Sequence, residues 1–213
     1  MKPSEIYLNL IKESALTEDS AQLKLLEKLD LIYKNLNNNS HKWFSNTSVK
    51  GLYIFGDVGR GKTQLMDIFF QSLKTDKKLR IHFHRFMKNL HEELEIISGS
   101  IDPIHKVVKR LAKTTKVLCF DEFFVEDIGD AMLLSRFLNK AFESGITLIA
   151  TSNTEPINLY EDGLHRTRFL PAIDSIYHYC DTHELISDQD YRLRTLKQVP
   201  MYMVTSEADF LEE

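Results

Sequence analysis

The chain is short of cysteine, of long apolar runs and of positive charge, and each shortage removes a class of protein. Its two cysteines, Cys119 and Cys180, form no CxxC pair and sit in apolar strand-like runs, which excludes a disulfide scaffold and suggests core thiols in a reducing compartment. No stretch approaches the roughly 18 apolar residues of a membrane-spanning helix, and MKPSEIYLNL at the start lacks the long apolar centre of a secretory signal. A cytoplasmic protein without a transmembrane segment is the expectation. The formal net charge is −4 over 213 residues, so there is no global basic field of the kind that draws proteins to nucleic acid or anionic lipid. Repeats are missing, and the one low-complexity patch, NLNNNS at 35–40, is a loop signal after a helix.

Glycine is scarce too, with eight in the chain, yet three fall within six residues. Residues 51–63 read GLYIFGDVGRGKT, an apolar strand-like run that breaks into Gly56-x-x-x-x-Gly61-Lys62-Thr63, the full phosphate-binding loop pattern. Glycines at 56, 59 and 61 allow positive φ and a close backbone approach, so that successive N–H groups from Asp57, Val58, Arg60 and their neighbours can point at an anion. Lys62 supplies a cation for the β- and γ-phosphates, Thr63 a hydroxyl for Mg²⁺, and the helix that begins there, with Gln64 in its first turn, turns its positive dipole end to the same point. Helical spacing continues through Leu65, Phe69 and Ser72 on one face and Met66, Phe70 and Leu73 on the next.

Lys116-Val-Leu-Cys-Phe-Asp121-Glu122 reads as a buried parallel strand ending in two acids, at the sheet edge where open α/β folds bind ligands. Asp121 is placed to hold the water shell of Mg²⁺ and Glu122 to take a proton from the attacking water, a pairing that favours hydrolysis over transfer to a metabolite. A third strand, 146–152, ends in Asn153, whose amide can read the γ-phosphate and the water. Arg166 and Arg168, in GLHRTRFLPAI at the end of a short helix, are candidates to reach a phosphate held by a neighbouring subunit.

Other segments carry structural readings. Leu23, Leu26, Leu29, Tyr33 and Leu36 predict an amphipathic helix packed on the main domain, and Trp43, the only tryptophan, reads as packing at a domain edge. Ile81 to Phe86 alternates like a strand, placing His82 and His84 on one face, and Arg85, Lys88, Glu92, Glu93 and Glu95 read as a solvated helix face after it. No third ligand is spaced to make a metal site of the two histidines. Asp127 and Gly145 mark the start and stop of a core helix, while Phe123 and Phe124 are expected to be exposed at the ligand edge. The expected organisation is an N-terminal helical segment at 1–40, an α/β nucleotide-binding core at 41–197 and a short tail at 198–213.

Taken together, GDVGRGKT, LRIHFHRFMKNLHEELE, KVLCFDEFFVEDIGDAMLLSRFL, GITLIATSN, GLHRTRFLPAI and QDYRLR resemble the ZapE-like cell-division ATPases and their mitochondrial relatives, within the AAA+ superfamily. The resemblance spans most of residues 18–197, and HFHRF and FDEFFV are peculiar to that family. It implies an AAA+ core built on a parallel five-stranded sheet flanked by helices, ATP at Gly56–Thr63, Mg²⁺ at Thr63 and Asp121, Glu122 as hydrolytic base, Asn153 as first sensor, and an arginine finger at Arg166 or Arg168 in a homo-oligomer. It also implies a division role in which FtsZ polymers are destabilised at the division ring, or, in the mitochondrial members, inner-membrane protein quality control. The family continues past DYRLR, so a truncated or absent C-terminal lid is expected, with Arg192 and Arg194 as stand-ins for its second sensor. A nucleotide-dependent DNA-handling factor of the helicase-loader type, an ATP-binding switch with little turnover and a small-molecule kinase are the competing readings.

Overall fold

Apolar residues at successive positions, with no polar alternation, produce strands buried on both faces. β1 (Gly51–Phe55), β3 (Val117–Asp121) and β4 (Thr147–Thr151) are such strands, while β2 (Lys78–His82) and β5 (Cys180–Glu184) carry charged and polar residues and form the two edges. The five lie parallel in the order β2-β3-β4-β1-β5 in the computed structural model, which describes residues 1–38 and 49–186. Because side chains alternate along a strand, Leu52, Ile54, Val117, Cys119 and Ile149 point to one face, and Tyr53, Leu118, Phe120, Leu148 and Ala150 to the other.

The first face is covered by α1 (Pro3–Lys12), α2 (Ser20–Asn38) and α3 (Lys62–Ser72). Leu25, Leu26, Leu29 and Ile32 form the buried stripe of α2; Leu23, Tyr33 and Leu36, predicted as its apolar face, lie at the flanks. α2 also runs on through Asn35–Asn38, where a loop was expected, since a helix docked by four apolar side chains tolerates weak helix formers at its end. Ser4 donates to Asp30 from its backbone (2.9 Å) and its hydroxyl (2.6 Å), and Lys2 pairs with the same carboxylate at 3.0 Å, which ties α1 to α2.

The second face is covered by α4 (Phe83–Ile96), α5 (Pro103–Thr114), α6 (Ile128–Glu143) and α7 (Leu170–Tyr179). Its centre is aromatic: Phe83 meets Phe123 with ring centroids 4.5 Å apart, and Phe86 meets Phe120 at 4.7 Å and Phe137 at 4.8 Å. Burying each such ring stabilises the fold by about 1.5–3 kcal/mol. Asp127 caps α6 by accepting from the Asp130 amide at 2.9 Å, and Gly145, at φ 78, follows its last turn, as the spacing predicted.

Two sequence expectations are corrected here. The strand ends at His82 and α4 starts at Phe83, so His82 and His84 do not share a strand face; the helical spacing of buried Phe83, Phe86, Met87 and Leu90 overrides the short alternation. Phe123 is fully buried, because it is the hub of the aromatic centre, whereas Phe124 is 50% exposed. Cys119 and Cys180 are buried free thiols as expected, with burial pushing Cys180 up to about 12. Trp43, Arg192, Arg194 and the tail at 198–213 lie outside the described residues.

Candidate active site

β1, β3 and β4 all end at one sheet edge, and the residues that follow them meet there. After Phe55 the backbone turns through Gly56 (φ 141), Gly59 (φ 83) and Gly61 (φ 87), the left-handed values that the pattern demanded. A Cβ on Gly56 would lie 2.6 Å from the Leu185 carbonyl oxygen, so this position is closed to side chains by β5's continuation as well as by its dihedral. α3 then starts at Lys62 with Gly61 as its N-cap. The loop wraps a cavity of about 400 Å³ lined by Val58 to Gln64 on one side and by Glu122 and Thr151 to Asn153 on the other. Gly56 and Asp57 stand behind it, on a smaller cavity of about 240 Å³.

Lys62 is the centre of this arrangement. Its Nζ donates to the carbonyl oxygens of Gly56 (2.6 Å) and Asp57 (2.7 Å) and to Asn153 Oδ1 (3.0 Å), using all three ammonium donors. Burial lowers its pKa from the ordinary 10.5, against the Asp57 charge, which raises it. Arg60 pairs with Asp57 at 3.4 Å, closing the loop on itself, and its carbonyl accepts from the Gln22 amide of α2 at 3.3 Å. α2 therefore braces the loop directly through the Gln22 side chain, a contact across 38 residues that sequence spacing does not reveal.

The other wall hangs on Thr151 and Ser152. The Glu122 amide donates to Thr151 Oγ1 (3.3 Å), the Phe123 amide to the Thr151 carbonyl (2.7 Å), and Ser152 Oγ to the Phe123 carbonyl (2.7 Å). This clamp holds Glu122 at φ 55, a left-handed conformation that is uncommon for a residue with a side chain and that recurs at functional sites. The turn aims the Glu122 carboxylate outward, beside His82 Nδ1 at 3.7 Å, while Asp121 one residue earlier stays buried at 4% exposure.

Asp121 is gripped from the neighbouring strand. Arg80 Nε donates to Asp121 Oδ2 at 2.7 Å and Arg80 Nη2 to Asp121 Oδ1 at 3.2 Å, and the third nitrogen, Nη1, pairs with Asp67 on α3. Desolvation would lower the Arg80 pKa, but the two carboxylates outweigh it and raise it. The sequence offered only a charged residue between Leu79 and Ile81 as a hint of this contact.

The arginines are placed further off. They form a 3₁₀ turn, Arg166–Arg168, before α7; Arg166 donates to the Ile157 carbonyl of its own chain, Arg168 is exposed, and neither lines the cavity. Thr63 and Asp121 are hard oxygen donors of the kind Mg²⁺ takes, and the cavity beside Thr63 carries Lys62 and backbone amides for an anion, so the residues present fit a magnesium-bound phosphate.

A family model for AFG1-like ATPases matches residues 1–213. The chain belongs to the AFG1-like ATPase family. Within that family it is 44% identical over 220 residues to the cell division protein ZapE of Escherichia coli K12, covering 94% of this chain and 59% of that protein. It is 38% identical to lactation elevated protein 1 homolog B of Danio rerio, over 75% of this chain and 34% of that protein. The chain thus spans about three-fifths of the length of its bacterial relative. Among solved structures, the DnaC helicase loader aligns with a TM-score of 0.59 at 17% identity, over 80% of this chain and 93% of that one. AMPPCP-bound DnaA from Aquifex aeolicus aligns at 0.58 and 16%, over 85% and 52%. Such distant likeness establishes the fold alone: a parallel five-stranded sheet flanked by helices, with the phosphate loop between β1 and α3.

Proposed function

We propose that this AFG1-like chain is a Mg²⁺-dependent ATPase that couples ATP binding and hydrolysis to the remodelling of a protein partner, destabilising FtsZ polymers at the division ring. The observation that carries the chemical part is the Lys62 ammonium, held between two loop carbonyls and Asn153 on the floor of a cavity whose far rim is Glu122. The partner part rests on the likeness to a cell division protein.

In this reading the amides of Val58 to Thr63 hold the β- and γ-phosphates, and Thr63 and Asp121 hold Mg²⁺. When bound, the ion neutralises charge that builds on the phosphoryl oxygens. Lys62 has no spare donor, so a γ-phosphate oxygen replaces one of its three acceptors. The Asn153 amide, which turns about its own χ angles while the carbonyls are fixed in the loop, is the partner that yields. Freed from Lys62, it orients the attacking water. The water oxygen bonds to the γ-phosphorus as the bridging oxygen leaves with ADP, and Glu122 takes the water's proton.

Arg168 is the better placed of the two arginines to act on a neighbour's phosphate in a homo-oligomer, because Arg166 already donates to Ile157. Exposed Ile157 and Leu164 beside it supply apolar surface for a subunit contact. No helix among the described residues is long and apolar enough to cross a membrane; in this reading the protein is cytoplasmic and recruited to the division site. Phosphate release measured with and without FtsZ tests the reading: stimulation or filament shortening that needs ATP and Glu122 supports it. Equal release with no effect on filaments removes the partner, and salt-sensitive capture of DNA on a filter selects the helicase-loader reading instead.

A further inference from the structure

Arg80 lies on β2, in register with Cys119 of β3, and its guanidinium bridges two carboxylates from different elements. Its side chain is 18% exposed, that of Asp121 6% and that of Asp67 49%. Fork-like pairing fixes both the position and the rotation of a carboxylate, since each oxygen receives its own N–H. The grip leaves Asp121 with the remaining lone pairs of both oxygens. A guanidinium alone would also cancel the charge that attracts a cation. Asp67, one turn beyond Thr63 on α3, offsets that cancellation, so the group of three keeps one net negative charge.

We propose that Arg80 is a positioning residue for the metal-binding carboxylate of Asp121, and that Asp67 sets how strongly that carboxylate draws the cation. The inference rests on the assignment of Mg²⁺ to Thr63 and Asp121 made above. It gives β2, an edge strand that contributes nothing to the cavity wall, a part in metal binding, and it joins α3 to β3 behind the phosphate loop. Partners that orient a metal ligand commonly contribute about ten- to a hundred-fold in metal affinity, since a carboxylate free to rotate must be ordered again on each binding event.

The test is binding of Mn²⁺ to the full chain with ADP present, read by loss of the free-ion electron paramagnetic resonance signal, alongside thermal unfolding in chelator. Asp67→Asn and Arg80→Lys are each expected to weaken Mn²⁺ binding roughly ten- to a hundred-fold. Asp67→Asn should unfold at the wild-type temperature in chelator, because Asp67 is half-exposed, so its loss of affinity cannot be laid to misfolding. Asp121→Asn should abolish Mn²⁺ binding. If Asp121→Asn loses the metal while Asp67→Asn and Arg80→Lys bind it as wild type does, the inference is overturned and the metal site stands. If Asp121→Asn also binds Mn²⁺ unchanged, the metal assignment fails and the inference with it.

Discussion

Lys62 and Asn153 are hydrogen-bonded at 3.0 Å, which links the first residue of α3 to the second residue after β4 across 91 positions of sequence. The contact places the candidate sensor on the lysine of the phosphate loop, so that what the lysine binds bears directly on where the amide points. In the reading above this is the route by which a γ-phosphate is detected.

Replacing Asn153 by alanine removes the water-orienting amide and leaves Lys62 its two carbonyl partners. Steady-state phosphate release should fall by about 10²-fold, the usual effect of misplacing a reacting group. Fluorescent ADP should bind with unchanged affinity. A parallel loss of nucleotide affinity would make Asn153 a binding residue and not a sensor.

Phe123 and Phe124 are adjacent yet opposite in environment. Phe123→Ala should cost about 3–5 kcal/mol in chemical denaturation, because it empties the aromatic centre between Phe83 and Tyr53. Phe124→Ala should stay within about 0.5 kcal/mol of wild type. Similar losses for the two would contradict the packing described.

His183, on the edge strand β5, has its pKa lowered below 6.5, first by burial and then by Lys28 and Lys24. A base that is harder to protonate when folded binds fewer protons than in the unfolded chain, so stability declines as pH falls from above 6.5 toward the folded value. Unfolding midpoints of His183→Gln measured from pH 7.5 to 5.5, a span chosen to bracket a histidine near 6.5, should slope less than those of the wild type. An identical slope would remove His183 from the account.

If Arg168 acts on a neighbour's phosphate, the rate per subunit should climb with protein concentration, and Arg168→Ala should flatten the curve with a loss of roughly a thousand-fold. Arg166→Ala should keep the concentration dependence, since that side chain is bound within its own chain.

Much of this was legible in one dimension because the chemistry is local. The glycines at 56, 59 and 61 state their dihedrals outright, Asp127 and Gly145 bound a helix by capping rules, and unbroken apolar runs name β1, β3 and β4. Contacts that depend on strand order could not be seen. Arg80 reaches Asp67 and Asp121 only because β2 lies beside β3, and Gln22 reaches Arg60 only because α2 packs under the loop. His84 was misread as a strand residue since six residues can satisfy periods of two and of 3.6 at once. The exposure of Phe123 was misjudged because the clamp from Thr151 and Ser152 turns it inward, and that clamp joins residues 29 apart.

The most direct measurement is phosphate release from Mg²⁺-ATP by Glu122→Gln, set beside equilibrium binding of fluorescent ATP to the same protein. Turnover should drop by roughly 10²–10⁴-fold, the range for removal of a general base, while ATP still binds as it does to the wild type. Turnover equal to wild type, or ATP binding that survives Lys62→Ala at full strength, would contradict a site built on the phosphate loop and Glu122.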